Sequence, residues 1–200
     1  MKRLSVAIQA GGESTRMGIN KAMMDFLGEP LIARVITRVS SLSDDIFIIT
    51  KEPQEFNKFS VRIIKDVIPG KGAIGGLYTA LVEAKYEFVA VVACDMPFVN
   101  MDLLKKAYEV LLEYHADVAI PKTGEGYEPL HAVYRIQKCL PAIQNALATE
   151  KKRLVSWFPD VNVVEMKSNL IDQFDPEHTA FINVNTRDEY IRAIEIAKSR

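Results

Sequence analysis

The segment Ala10–Lys21 reads A-G-G-E-S-T-R-M-G-I-N-K and follows a short apolar run. Glycines let backbone N–H groups come close to an anion without a Cβ in the way. In the same loop Arg16 can fork two phosphate oxygens, and Lys21 can add a point charge. Gly11, Gly12 and Gly18 are not spaced as G-x-G-x-x-G, and no G-K-[ST] occurs, so neither common phosphate-loop signature is present. The glycines alone would suit a flexible connector equally well. The two cations beside them favour a phosphate site. A second candidate is Cys94-Asp95-Met96-Pro97, directly after the most apolar run of the chain. Magnesium takes one or two carboxylates together with phosphate oxygens, so Asp95 is a candidate metal ligand. Capping a turn before Pro97 is the alternative use of that carboxylate.

Three further segments hold groups that could bind or react. Gly70–Gly76 has four glycines in seven residues, which suits either close backbone approach to a ligand or a simple connector. Tyr127–Tyr134 contains Glu128 and the lone His131, whose use as a catalytic base is a minor expectation. Phe181–Thr186 carries Asn183 and Asn185, two apart and so expected on one side of an extended segment. Their amides could read a heterocycle, or Asn185 could merely shape a turn. Cys94 reads as a small buried apolar residue rather than a nucleophile.

The elements that must place these groups follow from periodicity and punctuation. Leu4–Gln9, Asp45–Thr50, Val61–Ile64, Phe88–Cys94, Ala116–Ile120 and Leu130–Tyr134 are predicted strands, with Val161–Met166 and Phe181–Val184 as further candidates. Pro30–Val39, Leu77–Ala84, Met101–Tyr114 and Ile136–Leu147 have helical spacing, the last despite Pro141. Thr186-Arg187-Asp188-Glu189 is a capping box that opens a terminal helix. Alternating strands and helices over the first 120 residues predict an α/β fold with a mostly parallel sheet. In such sheets ligands sit beyond the carboxyl ends of the strands, where Ala10 and Asp95 fall.

Composition narrows the class without choosing within it. Apolar residues make up 48% and charged residues 26%, as in ordinary globular domains. Lys plus Arg number 25 and Asp plus Glu 26, a net charge of −1 that gives no general case for nucleic-acid binding. Two cysteines, Cys94 and Cys139, are too few and too far apart for a disulfide framework or a zinc site. No window is apolar enough to span a membrane, and the N-terminus lacks a cleavable leader pattern. The expectation is a single cytoplasmic domain over residues 1–200 with reduced thiols, no membrane partner and no nucleic acid.

Taken together, these segments resemble the molybdenum cofactor guanylyltransferase family. Q-A-G-G-E-S-T-R-M-G-I-N-K is similar to its first motif, D-M-P-F to its D-x-P-F, E-P-L-H-A-V-Y to its E-P-L-x-A-L-Y, and F-I-N-V-N-T-R-D-E to its F-x-N-x-N-T-P-E-D. Gln9 stands where the family usually has Leu, Asn20 where it has Asp, and G-A-I-G-G where it has G-P-L-A-G. The resemblance implies a Rossmann-like three-layer nucleotidyltransferase fold, with a nucleotide-binding N-terminal half and a cofactor-binding C-terminal half. It implies transfer of GMP from magnesium-GTP to the phosphate of the molybdopterin cofactor. Under it Gln9, Ala10, Gly11, Gly12, Lys21, Asp66 and Asp95 would bind nucleotide, and Arg16, Lys21 and Asp95 would be catalytic. Asp95 would hold magnesium, and Glu128, His131, Asn183 and Asn185 would border the cofactor. Partners would include GTP, the molybdopterin cofactor and proteins that deliver or accept it. A cytidylyltransferase for the same cofactor, another small-molecule nucleotidyltransferase and a non-catalytic nucleotide binder stay open at this point.

Overall fold

The computed structural model describes residues 4–11, 20–151 and 153–199. The core strand is β1 (Leu4–Gln9), where Leu4, Val6 and Ile8 alternate with Ser5, Ala7 and Gln9. Side chains on a strand point to opposite faces, so β1 feeds both sides of the sheet. Its neighbours are β4 (Ile46–Thr50) on one side and β6 (Phe88–Ala93) on the other, both parallel to it. Every residue of β6 is buried, as befits an uninterrupted F-V-A-V-V-A in a central parallel strand. Outward from β4 lies β5 (Arg62–Lys65), again parallel. Beyond β6 comes β9 (His131–Arg135), antiparallel to its neighbours, then β7 (Val118–Thr123) and β10 (Val163–Met166). The order is β10-β7-β9-β6-β1-β4-β5, with the two-residue β8 (Gly126–Tyr127) on β7.

Two helical layers cover the sheet. Leu4, Val6 and Ile8 pack with Ile32, Val35 and Val39 of α1 (Leu31–Val39) and with Leu103, Leu104 and Leu111 of α3 (Met101–Glu113). Ala7, Phe47 and Ile49 pack with Ile74, Leu77 and Leu81 of α2 (Gly72–Glu83) and with Cys139 and Ile143 of α4 (Ile136–Ala148). This is the three-layer α/β arrangement with a mostly parallel sheet that the sequence predicts. Helix α4 runs through Pro141, and its buried stripe on the second layer holds it despite the lost N–H.

Some elements depart from expectation. The glycine segment expected to be a loop through Gly76 is already helical from Gly72. A hairpin not predicted, β2 (Asp25–Phe26) with β3 (Glu29–Pro30), turns at Leu27 and Gly28, both with positive φ. Phe181–Val184 is not a strand: Thr179–Phe181 forms a 3-10 turn and the chain then runs irregularly to α6 (Arg187–Lys198). A short helix, α5 (Ser168–Ile171), precedes it. Helix α6 carries the predicted capping box in full, with Thr186 and Glu189 bonding reciprocally. It covers the hairpin: Tyr190 donates to the Asp25 carbonyl at 2.6 Å, and Phe26 meets Tyr190 and Phe98 edge to face.

Candidate active site

The strand register brings the reactive segments to one edge. Gln9 is level with Ile49 of β4 and Ala93 of β6. The chain then steps across the strand ends: Ala10 N donates to Ile49 O, Cys94 N to Gln9 O, and Asp66 N to Thr50 O, each at 2.8–2.9 Å. From β1 the chain passes to β4 and β5 on one side, then crosses back through α2 to β6 on the other side of β1. This is the switch point where open α/β sheets open a crevice. A cavity of about 810 Å³ lies there. It is walled by Gln9, Ala10 and Gly11 from β1, Cys94 and Asp95 from β6, Thr50 from β4, Asp66 from β5 and the first turns of α2.

The glycines of α2 let other groups press close to the helix. A Cβ on Gly76 would lie 2.7 Å from Gln9 Oε1, and one on Gly75 would lie 2.9 Å from Ile68 O. The helix therefore sits against Gln9 and the loop after β5 at a distance only glycine allows. Gln9 Nε2 is buried with no partner among the described residues.

Lys21 opens a short 3-10 turn, Lys21–Met23, whose N-cap is Asn20. Asn20 also donates to Glu55 across the cavity mouth. Lys21 Nζ donates to Asn185 Oδ1 at 2.7 Å, which ties the first motif to the last one. Asn185 is placed by two bonds: its own N–H donates to Glu189, and Val184 N donates to Asp95 O at 2.9 Å. Asp95 is half-buried. Burial pushes its carboxyl above the usual range, and the nearby Lys21 ammonium acts against that push. Burial, and then the Asp95 charge, raise the Cys94 thiol, so it stays protonated and is no nucleophile at neutral pH.

Of the residues the sequence singled out, the structure brings Gln9, Ala10, Gly11, Lys21, Asp66, Asp95 and Asn185 to one cavity. Arg16 and Gly12 lie outside the described residues. His131 does not reach the cavity wall. It is fully buried, its Nε2 accepts from Asn100 N at 3.1 Å, and its ring packs edge to face on Phe181. Burial drives its pKa down to about 4, so it is neutral at pH 7. Its neighbour Leu130 is the residue that lines the cavity. Asn183 turns back on its own segment, donating to Phe181 O at 3.1 Å, so it does not share a face with Asn185. Glu128 is half-buried at the same sheet edge, bonded by Thr123 Oγ1, and burial raises its carboxyl. The sequence reading missed Thr79, a buried hydroxyl bonded to Asp66; as an interior helix position it carries no motif signal.

An open, mostly parallel sheet with a polar, glycine-walled cavity at its switch point is the architecture of a nucleotide-handling α/β enzyme. Comparison with known proteins narrows the class. Residues 6–161 match the family described as MobA-like NTP transferase domain. A probable molybdenum cofactor guanylyltransferase of Peptoclostridium acidaminophilum is 32% identical over 190 residues, covering 92% of this chain and 86% of that protein. A molybdenum cofactor guanylyltransferase of Desulfosudis oleivorans is 31% identical, covering 96% and 95%. The crystal structure of molybdopterin-guanine dinucleotide biosynthesis protein A from Archaeoglobus fulgidus superposes with a TM-score of 0.86 at 28% identity over the whole of both chains. The chain belongs to the MobA-like NTP transferase family and is a nucleotidyltransferase, with molybdenum cofactor guanylyltransferases as its relatives.

Proposed function

We propose that this chain transfers GMP from magnesium-bound GTP to the phosphate of the molybdopterin cofactor, giving the guanine dinucleotide form and pyrophosphate. The observation that carries the reading is the convergence of Lys21 and Asp95 in one cavity at the ends of β1 and β6. The cytoplasm is the proposed location. Over residues 1–200, taken as one domain, the first half holds the nucleotide and the second half the cofactor.

In the reaction an oxygen of the acceptor phosphate forms a bond to the α-phosphorus of GTP. The bond from that phosphorus to the α–β bridging oxygen breaks, and pyrophosphate leaves with its electrons. The acceptor is already anionic, so no dedicated base is needed; the difficulty is bringing two anions together. Lys21 is placed to exchange Asn185 for a phosphate oxygen and neutralise charge as it moves. Arg16 is assigned the same task from the first motif. Ala10, Gly11 and the Gln9 side chain border the nucleotide together with Asp66, and Gly12 is assigned to it from the first motif alone.

The donor set fits a divalent ion shared with substrate. Among the described residues no group of three His, Cys, Asp or Glu side chains could cage a metal alone. Asp95 offers a hard carboxylate oxygen in a cavity large enough for a triphosphate, which is the ligand pattern magnesium takes. Magnesium held there would offset negative charge on the phosphates. Asn185 is the polar side chain of the second half that lines the cavity and is proposed to meet the cofactor, with Glu128, outside the cavity lining, further along the edge. His131 and Asn183 are given no contact with the cofactor, since both are engaged with Phe181 away from the cavity lining.

The test is pyrophosphate release with magnesium, molybdopterin cofactor and GTP, CTP or ATP in turn. Release with GTP, dependent on the cofactor, is expected. Preference for CTP or ATP would overturn the guanine assignment, and release with none would overturn the enzymatic one.

A further inference from the structure

Thr79 lies two turns inside α2 and is fully buried, yet its hydroxyl makes three polar contacts. Val67 N donates to Oγ1 at 3.2 Å. Oγ1 is 2.8 Å from Asp66 Oδ1 and 3.0 Å from Gly75 O. A single hydroxyl proton cannot serve both acceptors fully, and the shorter contact to a carboxylate is the stronger one. The contact to Gly75 O is the backbonding to residue i−4 common for Thr in helices. Asp66 Oδ1 also accepts from Ile68 N at 3.1 Å. One carboxylate oxygen is thereby held by two donors. The other, Oδ2, has no hydrogen bond among the described residues, and Asp66, 8% exposed, lines the cavity.

We propose that Thr79 is a positioning residue for nucleotide binding: it clamps Asp66 Oδ1 so that Oδ2 faces the cavity as an acceptor for N–H or O–H donors of the nucleoside. This rests on the reading that Asp66 touches the nucleotide. The clamp also pins the loop after β5 to α2 through Val67, on the side where Gly75 admits Ile68 O to within 2.9 Å of its missing Cβ. A free aspartate would rotate about χ1 and χ2 and lose part of its binding energy in ordering those torsions. Thr79 removes that cost before the nucleotide arrives.

The test uses the full chain and calorimetric titration with GTP and magnesium, alongside steady-state kinetics. Thr79→Val fills the same volume without the hydroxyl, Thr79→Ser restores it, and Thr79→Ala serves if the valine variant fails to fold. We expect Thr79→Val to weaken GTP binding about tenfold and raise KM for GTP with kcat retained, and Thr79→Ser to stay within about threefold. Asp66→Asn should weaken GTP binding, and adding Thr79→Val to it should cost no more. A valine variant that binds GTP like the wild type, or losses that multiply in the double variant, would overturn the clamp while leaving the role of Asp66 intact. Unchanged binding in Asp66→Asn would overturn both the clamp and the placement of Asp66 at the nucleotide. Failure of the wild type to bind GTP would overturn the guanylyl reading itself.

Discussion

Asp95 shows how function and stability pull apart at a single side chain. Its folded carboxyl lies above the usual range because burial disfavours the charge. A raised carboxyl binds its proton more tightly in the folded state, so its charge opposes folding as pH climbs past the unfolded value. Asp95→Asn should therefore melt at the wild-type temperature or above at pH 7, while turnover is lost with the metal ligand. Near-normal activity of that variant at millimolar magnesium would sink the assignment. Lys21→Ala should weaken GTP binding by about 1.5–3 kcal/mol, the range for a charge-assisted bond, with little change in melting. His131 behaves in the opposite sense to Asp95. Its folded pKa, about 4, lies below the ordinary 6.5, so its contribution is complete above pH 6.5 and drains away as pH falls towards 4. Over that window the loss is on the order of 3 kcal/mol. His131→Gln, which can still accept from Asn100 N, should flatten that acid limb in denaturant titrations.

At the scale of elements, capping and packing decide which segments hold. The Thr186 and Glu189 box begins α6 where Asn185 must meet Lys21. Thr186→Ala should cost about 1 kcal/mol, read as a melting shift of roughly 2–4 °C for a domain of this size. It should raise KM for the cofactor more than for GTP, because Asn185 is positioned by that cap. The box was legible in the sequence because its four residues act locally. The glycine segment of α2 was not. Gly72 to Gly76 looks like a loop by propensity; it is helix with Ile74, Leu77 and Leu81 buried on the sheet, and Gly75 and Gly76 leave room for Ile68 and Gln9. The β2–β3 hairpin was missed because its strands are two residues each and carry no alternation. The spacing of Asn183 and Asn185 predicts one side of an extended segment, but the segment is irregular: Asn183 bonds back to Phe181 O while Asn185 meets Lys21. His131 follows an apolar-strand pattern, and nothing in its type tells a buried acceptor from a base.

At the scale of the whole molecule, the central strands and the site edge were readable, because hydrophobic runs mark buried strands and glycine or acidic residues mark their ends. The antiparallel β9 and the outer order β9-β7-β10 were not, since which strands lie side by side depends on contacts far apart in sequence. The two-sided core gives a matching prediction. Leu104→Ala, in the first helical layer and fully buried, should lower stability by about 2–5 kcal/mol, measured by urea unfolding, without altering the KM for GTP.

The bond from Lys21 to Asn185 joins residues 164 positions apart, and α6 closes over Phe26 at the other end of the chain. Protein synthesis adds about 5–20 residues per second. Lys21 is thus made on the order of ten seconds or more before its partner exists, and Phe26 waits just as long for Tyr190. A growing chain therefore carries an open aromatic patch and an unfinished cavity until α6 is released. Chains arrested on the ribosome before Asn185 emerges should be cut after Phe26 by a chymotrypsin-like protease that leaves the finished protein intact at that bond. The pocket that joins the first motif to the last is in this sense complete only once Asn185 has been made.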